Sequence, residues 1–173
     1  GWSSSSGRGW ANLSNAPFRM YKRYSHEGGV ATPLIVHWPD GLKDQNKVRH
    51  FPGHIIDIAP TCLNAAGLST KGMDGQTLLP VFTKDSTQPR TLFWEHEGNR
   101  AVRQGDYKLV AQHNTPWELY NMRKDRNELH DLSRSMPQKA AVLKKLYEAW
   151  AHRVGAKPWD EVSIIRKKNP SKK

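Results

Sequence analysis

The strongest constraint on the fold lies near the C-terminal end. There Ala140, Leu143, Leu146, Tyr147, Trp150 and Val154 recur at the spacing of a helix with one apolar face. Pro137 suits the first turn of that helix, and Gly155 suits the left-handed position that ends one. Such a stripe has to be buried against another element. The preceding residues supply one: runs at 91–95, 100–103, 107–112 and 117–121 read as short strands. Gln104-Gly105-Asp106 reads as a hairpin turn, with Gly where a positive φ is cheap. Residues 90–155 are therefore expected to form a small antiparallel sheet with one amphipathic helix packed on it.

The earlier part of the chain follows a different pattern. Residues 30–38 (VATPLIVHW) carry Leu34, Ile35 and Val36 without alternation, and Pro39-Asp40-Gly41 ends the run. A continuous apolar run of this length predicts a strand covered on both faces, as in parallel α/β sheets. Residues 58–66 are expected to form a short helix, with Asp57 as N-cap, Pro60 in the first turn and Gly67 after the end. Cys62 falls on its apolar face with Ile58, Ala65 and Ala66, and reads as an inert buried hydrophobe. Residues 72–85 read as loop with an apolar plug of Leu78, Leu79, Val81 and Phe82. Residues 1–16, rich in Ser, Gly and Asn, read as loop, and 156–173 as a basic tail.

Charge narrows the function classes. Lys and Arg number 27 against 16 Asp and Glu, for a net +11, and Arg166, Lys167, Lys168, Lys172 and Lys173 concentrate part of it at one end. Such a balance suits an anionic partner: nucleic acid, a membrane surface, or a sulfated or phosphorylated substrate. No RNA-binding signature with stacking aromatics is present, so nucleic acid is not the expected partner. No apolar run approaches the ~20 residues of a membrane span. The single Cys excludes an intrachain disulfide and a Cys₄ or Cys₂His₂ zinc site.

Three clusters could carry chemistry. Residues 22–29 (KRYSHEGG) place Lys22 and Arg23 just before Glu27-Gly28-Gly29, where paired glycines permit close backbone approach. A lysine ammonium with three donors suits a tetrahedral oxyanion such as sulfate or phosphate. Glu95, His96 and Glu97 combine carboxylate and imidazole, but on a strand His96 would point away from both acids, which favours a structural role. His50, His54 and Asp57 form a looser set, for which a helix cap is the simpler account.

These residues, taken in order, resemble a family. Asn15-Ala16-Pro17-Phe18-Arg19, Lys22, His26-Glu27-Gly28-Gly29, Thr32-Pro33-Leu34-Ile35-Val36 and Trp38-Pro39 look like the C-terminal third of the sulfatases, in particular the bacterial arylsulfatases. Asp57-Ile58-Ala59-Pro60-Thr61, Gly75-Gln76-Thr77-Leu78-Leu79-Pro80, Gly105-Asp106-Tyr107-Lys108-Leu109, and Glu118-Leu119-Tyr120-Asn121 with Asp125 and Glu128 extend the likeness. It runs from about residue 12 to 154.

The resemblance implies an alkaline-phosphatase-like α/β fold. Residues 17–89 would be the end of the large sulfatase domain, and 90–155 the small C-terminal subdomain. It also implies sulfate ester hydrolysis by a formylglycine nucleophile with a divalent cation, usually calcium, and periplasmic or secreted relatives. The C/S-x-P-x-R motif and the Asp-Asn-Gly metal motif of the family are absent, and the chain lacks an initiator Met. A missing N-terminal portion is therefore expected to supply them, and the chain alone to be inactive. Cys62 is followed by Leu63-Asn64-Ala65, and Ser86-Thr87-Gln88-Pro89-Arg90 has its proline one place late. What carries over is Lys22, which matches the active-site lysine. It would bind a sulfate oxygen of the substrate and offset charge on the leaving group. The contrasting expectation is a non-catalytic basic module that binds polyanions, a sulfated glycan or nucleic acid.

Overall fold

The computed structural model describes residues 7–43, 46–86 and 88–168. Its helices are α1 (Arg8–Ser14), α2 (Glu27–Val30), α3 (Ile58–Ala65), α4 (Leu79–Thr83), α5 (Pro137–Val154) and α6 (Trp159–Lys168). Its strands are β1 (Thr91–His96), β2 (Asn99–Gln104), β3 (Tyr107–Ala111) and β4 (Glu118–Asn121). The chain divides into two compact units, residues 1–32 with 89–173, and residues 33–88. Residues 17–32 fall in the first unit, with the sheet.

In the first unit the strands form an antiparallel meander in the order β1-β2-β3-β4. Gln104, expected in the turn, instead ends β2 and pairs with Tyr107, so the turn is the two residues Gly105-Asp106, where Gly105 has φ +59°. α5 spans the expected residues and ends at Gly155 with φ +69°. Its Leu143 and Tyr147 pack on Val102, Leu109 and Leu119, all buried. Phe93 stacks on Trp150 with centroids 5.0 Å apart, and Trp117 meets Tyr147 edge-on at 5.3 Å. Burial of such side chains at ~1.5–3 kcal/mol each makes this the stable centre of the unit.

The opposite sheet face carries Ala101, Val110, Tyr120 and Met122. Lys108 pairs with Tyr120 in register and points to this face as well. Residues 19–27 cover it, through the contacts described below. Alternation alone would leave Lys108 on the solvent side of a one-faced sheet; its acidic partners lie far away in sequence, so burial was not legible.

Several expectations need correction. Residues 1–16 are not all loop: α1 forms within them, with no buried residue. Glu97 is not on a strand. It sits with Gly98 in the β1–β2 turn, both at positive φ. The tail contains α6, opened by Asp160 and Glu161, acids that favour a helix N-terminus. Residues 169–173 of the expected basic tail lie outside the described residues.

The second unit departs further. Residues 33–38 join no ladder among the described residues, and Ile35 is 89% exposed. A strand needs partner strands for its backbone groups, and the sheet found here does not include it. α3 forms where expected, yet Ile55, Ile56, Ile58 and Cys62 are exposed. What anchors α3 is polar. The Asp57 carboxylate, 0% exposed, accepts from the backbone N–H of His54 at 2.7 Å and of Gln76 at 3.0 Å. The Thr61 hydroxyl donates to the Asp57 carbonyl and accepts from the Leu78 N–H. Asp57 therefore caps a short 3₁₀ turn, Ile55–Asp57, that leads into α3. Leu78 and Val81 of the expected plug are buried, and α4 forms there in place of loop. Arg49 donates to the carbonyls of Val81, Phe82 and Thr83 at its end.

Candidate functional site

The segment 19–29 is held at four points, and Lys22 stands free among them. Gly28 donates its N–H to the Arg19 carbonyl at 2.9 Å, closing the segment on itself. A Cβ on Gly28 would collide with the Met20 carbonyl, and one on Gly29 with the Tyr24 carbonyl. The glycines thus serve the close backbone approach expected of them.

Arg19 is the first tether. Its Nη1 donates to Glu118 Oε2 at 3.1 Å, to the Tyr120 hydroxyl at 2.8 Å and to the Glu128 carbonyl at 3.1 Å. Arg23 is the second, 2.6 Å from Glu97 Oε2 in the β1–β2 turn. His26, fully buried, is the third, with Nε2 3.1 Å from Glu118 Oε2. Its Nδ1 is buried without a hydrogen-bond partner.

Glu27 is the fourth. Its carboxylate accepts from Lys108 Nζ at 3.0 Å and from Arg126 Nε at 3.4 Å, and its N–H donates to Glu128 Oε2 at 2.9 Å. Lys108 Nζ also lies 2.9 Å from Glu128 Oε1, an ion pair off the angle of a hydrogen bond. Lys108 and Glu128 are 0% exposed and Glu27 5%. Burial would raise the Glu27 carboxyl; Lys108, then Arg126 and Arg103, outweigh that and hold it below its usual range. The same competition acts on Glu118. Burial works against its charge, but hydrogen bonds from His26 and Tyr120 and the charge of Arg19 bring it down to about 2.

Lys22 itself is exposed, and among the described residues it makes no hydrogen bond or ion pair. Met20 and Arg23 on either side have φ of +68° and +93°. Such values are costly for side chains with a Cβ and persist where surrounding contacts impose them. Lys22 lines an open cleft of about 400 Å³ with Ser14 at the end of α1, Asn15, Tyr21, Gly29 and Thr32. An exposed ammonium without a protein partner has the chemistry to attract an anion.

The other candidates do not assemble into chemistry. Glu95 accepts from the Gly98 N–H at 2.9 Å and serves the turn. His54 and Asp57 cap the 3₁₀ turn. Cys62 is exposed on α3, and its sequence does not fit a formylglycine precursor. No group of three or more His, Cys, Asp or Glu is disposed to hold a metal ion among the described residues. No described helix is long and apolar enough to cross a membrane.

The resemblance singled out Lys22 as a candidate, and sequence reasoning did not identify Arg19, Lys108, Glu118 and Glu128 as contacts of the segment that carries it. The signal was present: Lys108, Glu118 and Glu128 all lie in the stretches that carry the family likeness.

Residues 18–154 match the family described as N-sulphoglucosamine sulphohydrolase, C-terminal, and the chain belongs to that family. It is 32% identical over 158 residues to an uncharacterised sulfatase of Schizosaccharomyces pombe, covering 82% of this chain and 28% of that protein. It is 31% identical over 143 residues to arylsulfatase K of Danio rerio, covering 74% and 27%. The chain thus spans under a third of the length of these relatives. The crystal structure of Ps i-CgsB superposes with a TM-score of 0.63 at 25% identity, over 80% of this chain and 34% of that one. A Bacteroides thetaiotaomicron structure, from work on the metabolism of multiple glycosaminoglycans, has a TM-score of 0.64 at 21% identity, over 76% and 31%. The expected class of fold is therefore present, a small antiparallel sheet with helices at the C-terminal end of a sulfatase.

Proposed function

We propose that this chain is the C-terminal part of an arylsulfatase, and that its contribution to hydrolysis is Lys22. The Lys22 ammonium binds a non-bridging oxygen of the sulfate ester and faces the ester oxygen, where negative charge grows as the S–O bond breaks. A fixed cation at that point lowers the barrier more than it tightens substrate binding. The observation that carries this reading is an exposed, unpaired lysine in a polar cleft, on a segment whose other cations are all tied off.

Family membership supports the reaction class, and the likeness to arylsulfatase K supports an aryl sulfate as a working substrate. In this reading residues 17–89 complete the large domain of the parent protein and 90–155 form its small subdomain. The exposed Leu34, Ile35 and Val36 then pair with strands of the preceding portion. A formylglycine nucleophile and calcium, which the resemblance implies, are assigned in this reading to that portion.

The test is Lys22→Ala in the full-length parent. Lys22 supports no contact of the fold, so the melting temperature should hold while kcat on an aryl sulfate falls by roughly 10²–10³-fold. An unchanged kcat overturns the assignment.

A further inference from the structure

The buried cluster beneath the Lys22 segment has a composition that packing alone does not require. Glu27, Lys108 and Glu128 are each at least nine-tenths buried, and with Arg126 they balance two carboxylates against two cations. Apolar side chains of similar volume would generally stabilise such a position as well or better. Charged groups give something else, which is a single allowed register. A one-residue slip of the segment would pull the Glu27 N–H from Glu128 and leave a buried ammonium or carboxylate unpaired.

The cluster also joins the chain across long separations. Glu27 is 81 residues from Lys108 and 101 from Glu128. Two of its members come from the sheet unit proper, β3 and the loop after β4, and the third opens α2 immediately beside Gly28 and Gly29. Gly28 in turn is bonded to Arg19, so residues 20–26, with Lys22 among them, are a loop closed at its base by this cluster.

We propose that Glu27, Lys108 and Glu128 are positioning residues for Lys22, through which the small sheet sets where the ammonium stands. This rests on the role assigned to Lys22 above. None of the three touches the substrate cleft with its side chain; they act by fixing the base of the loop. A displacement of about 1 Å in a charged group at a reacting centre is enough to lower turnover by roughly a hundred-fold. The small subdomain is then part of the catalytic apparatus and not only a covering for the helix.

A double-mutant cycle in the full-length parent tests it, with kcat normalised to folded enzyme. Glu128→Gln keeps an acceptor for the Glu27 N–H but removes the charge that holds Lys108. Alone it should lower kcat by roughly ten- to a hundred-fold. In a Lys22→Ala background the same change should lower kcat by less than about two-fold, because the group it positions is gone. Equal losses in both backgrounds, or a lowered melting temperature with kcat intact, overturn the proposal while leaving Lys22 in place. An unaffected Lys22→Ala enzyme instead overturns the reading of Lys22. If Glu128→Gln does not fold, Glu27→Gln carries the same comparison, since its amide oxygen still accepts from Lys108. Failure of both to fold assigns the cluster to folding and overturns the proposal too.

Discussion

Glu118 offers the sharpest stability test of the contacts that hold the lysine segment. Its Oε2 receives Arg19 at 3.1 Å, His26 at 3.1 Å and the Tyr120 hydroxyl at 2.7 Å. Despite the opposing effect of burial, these bring its carboxyl from 4.5 to about 2, a drop of about 2.5. At ~1.4 kcal/mol per unit the ceiling is ~3.4 kcal/mol. The side chain is 22% exposed, so solvent screening reduces this to ~1.5–2 kcal/mol. The folded value is depressed, so the stabilisation is complete above the unfolded value near 4.5 and is lost as pH falls from there towards about 2. Glu118→Gln should therefore be ~1.5–2 kcal/mol less stable than the parent sequence at pH 7 in urea unfolding. The gap should narrow steadily from about pH 4.5 downwards. Other depressed carboxyls, Glu27, Asp85 and Asp125, titrate in both proteins and cancel in the difference. A gap that stays constant from pH 6 to pH 3 would refute the reasoning.

Further outcomes follow from the same contacts. The purified 173-residue chain should not hydrolyse an aryl sulfate with or without calcium, and calcium-dependent turnover by it would place the nucleophile in this chain after all. In hydrogen exchange, amides of residues 91–121 and 137–154 should be more protected than those of 33–88; uniform protection would contradict the difference in burial between the two units. Leu143→Ala should lower stability by ~2–5 kcal/mol, read by urea unfolding, and a loss below ~1 kcal/mol would show that α5 is not the centre of the core.

The sheet and α5 were legible because their signals are local. Gly105, Gly155 and the Leu143–Trp150 spacing each specify an element within a few residues of themselves. The second unit was read less well for the opposite reason. The apolar run at 34–36 predicts a covered strand, but cover and hydrogen-bond partners are properties of other strands, and no described strand pairs with it. Cys62 failed in the same way: the apolar face of α3 was found, and what should bury it was not. α1 and α6 were missed because a composition rich in Ser and Gly, or in Lys, outweighed short helical signals. At the candidate site, Lys22 was named through resemblance alone. The buried cluster beneath its segment was not legible, since no local pattern indicates that Lys108 is buried by acids 81 residues before it and 20 after it.

The leaving-group dependence of turnover tests the role of Lys22 most directly. A series of aryl sulfates with phenols of rising pKa would be compared in the full-length parent and in Lys22→Ala. If the ammonium offsets charge on the departing oxygen, the variant loses more as the phenol becomes more basic, and its plot of log kcat/KM against phenol pKa is the steeper. Parallel lines for the two enzymes would contradict that role, and coincident lines would remove Lys22 from the reaction altogether.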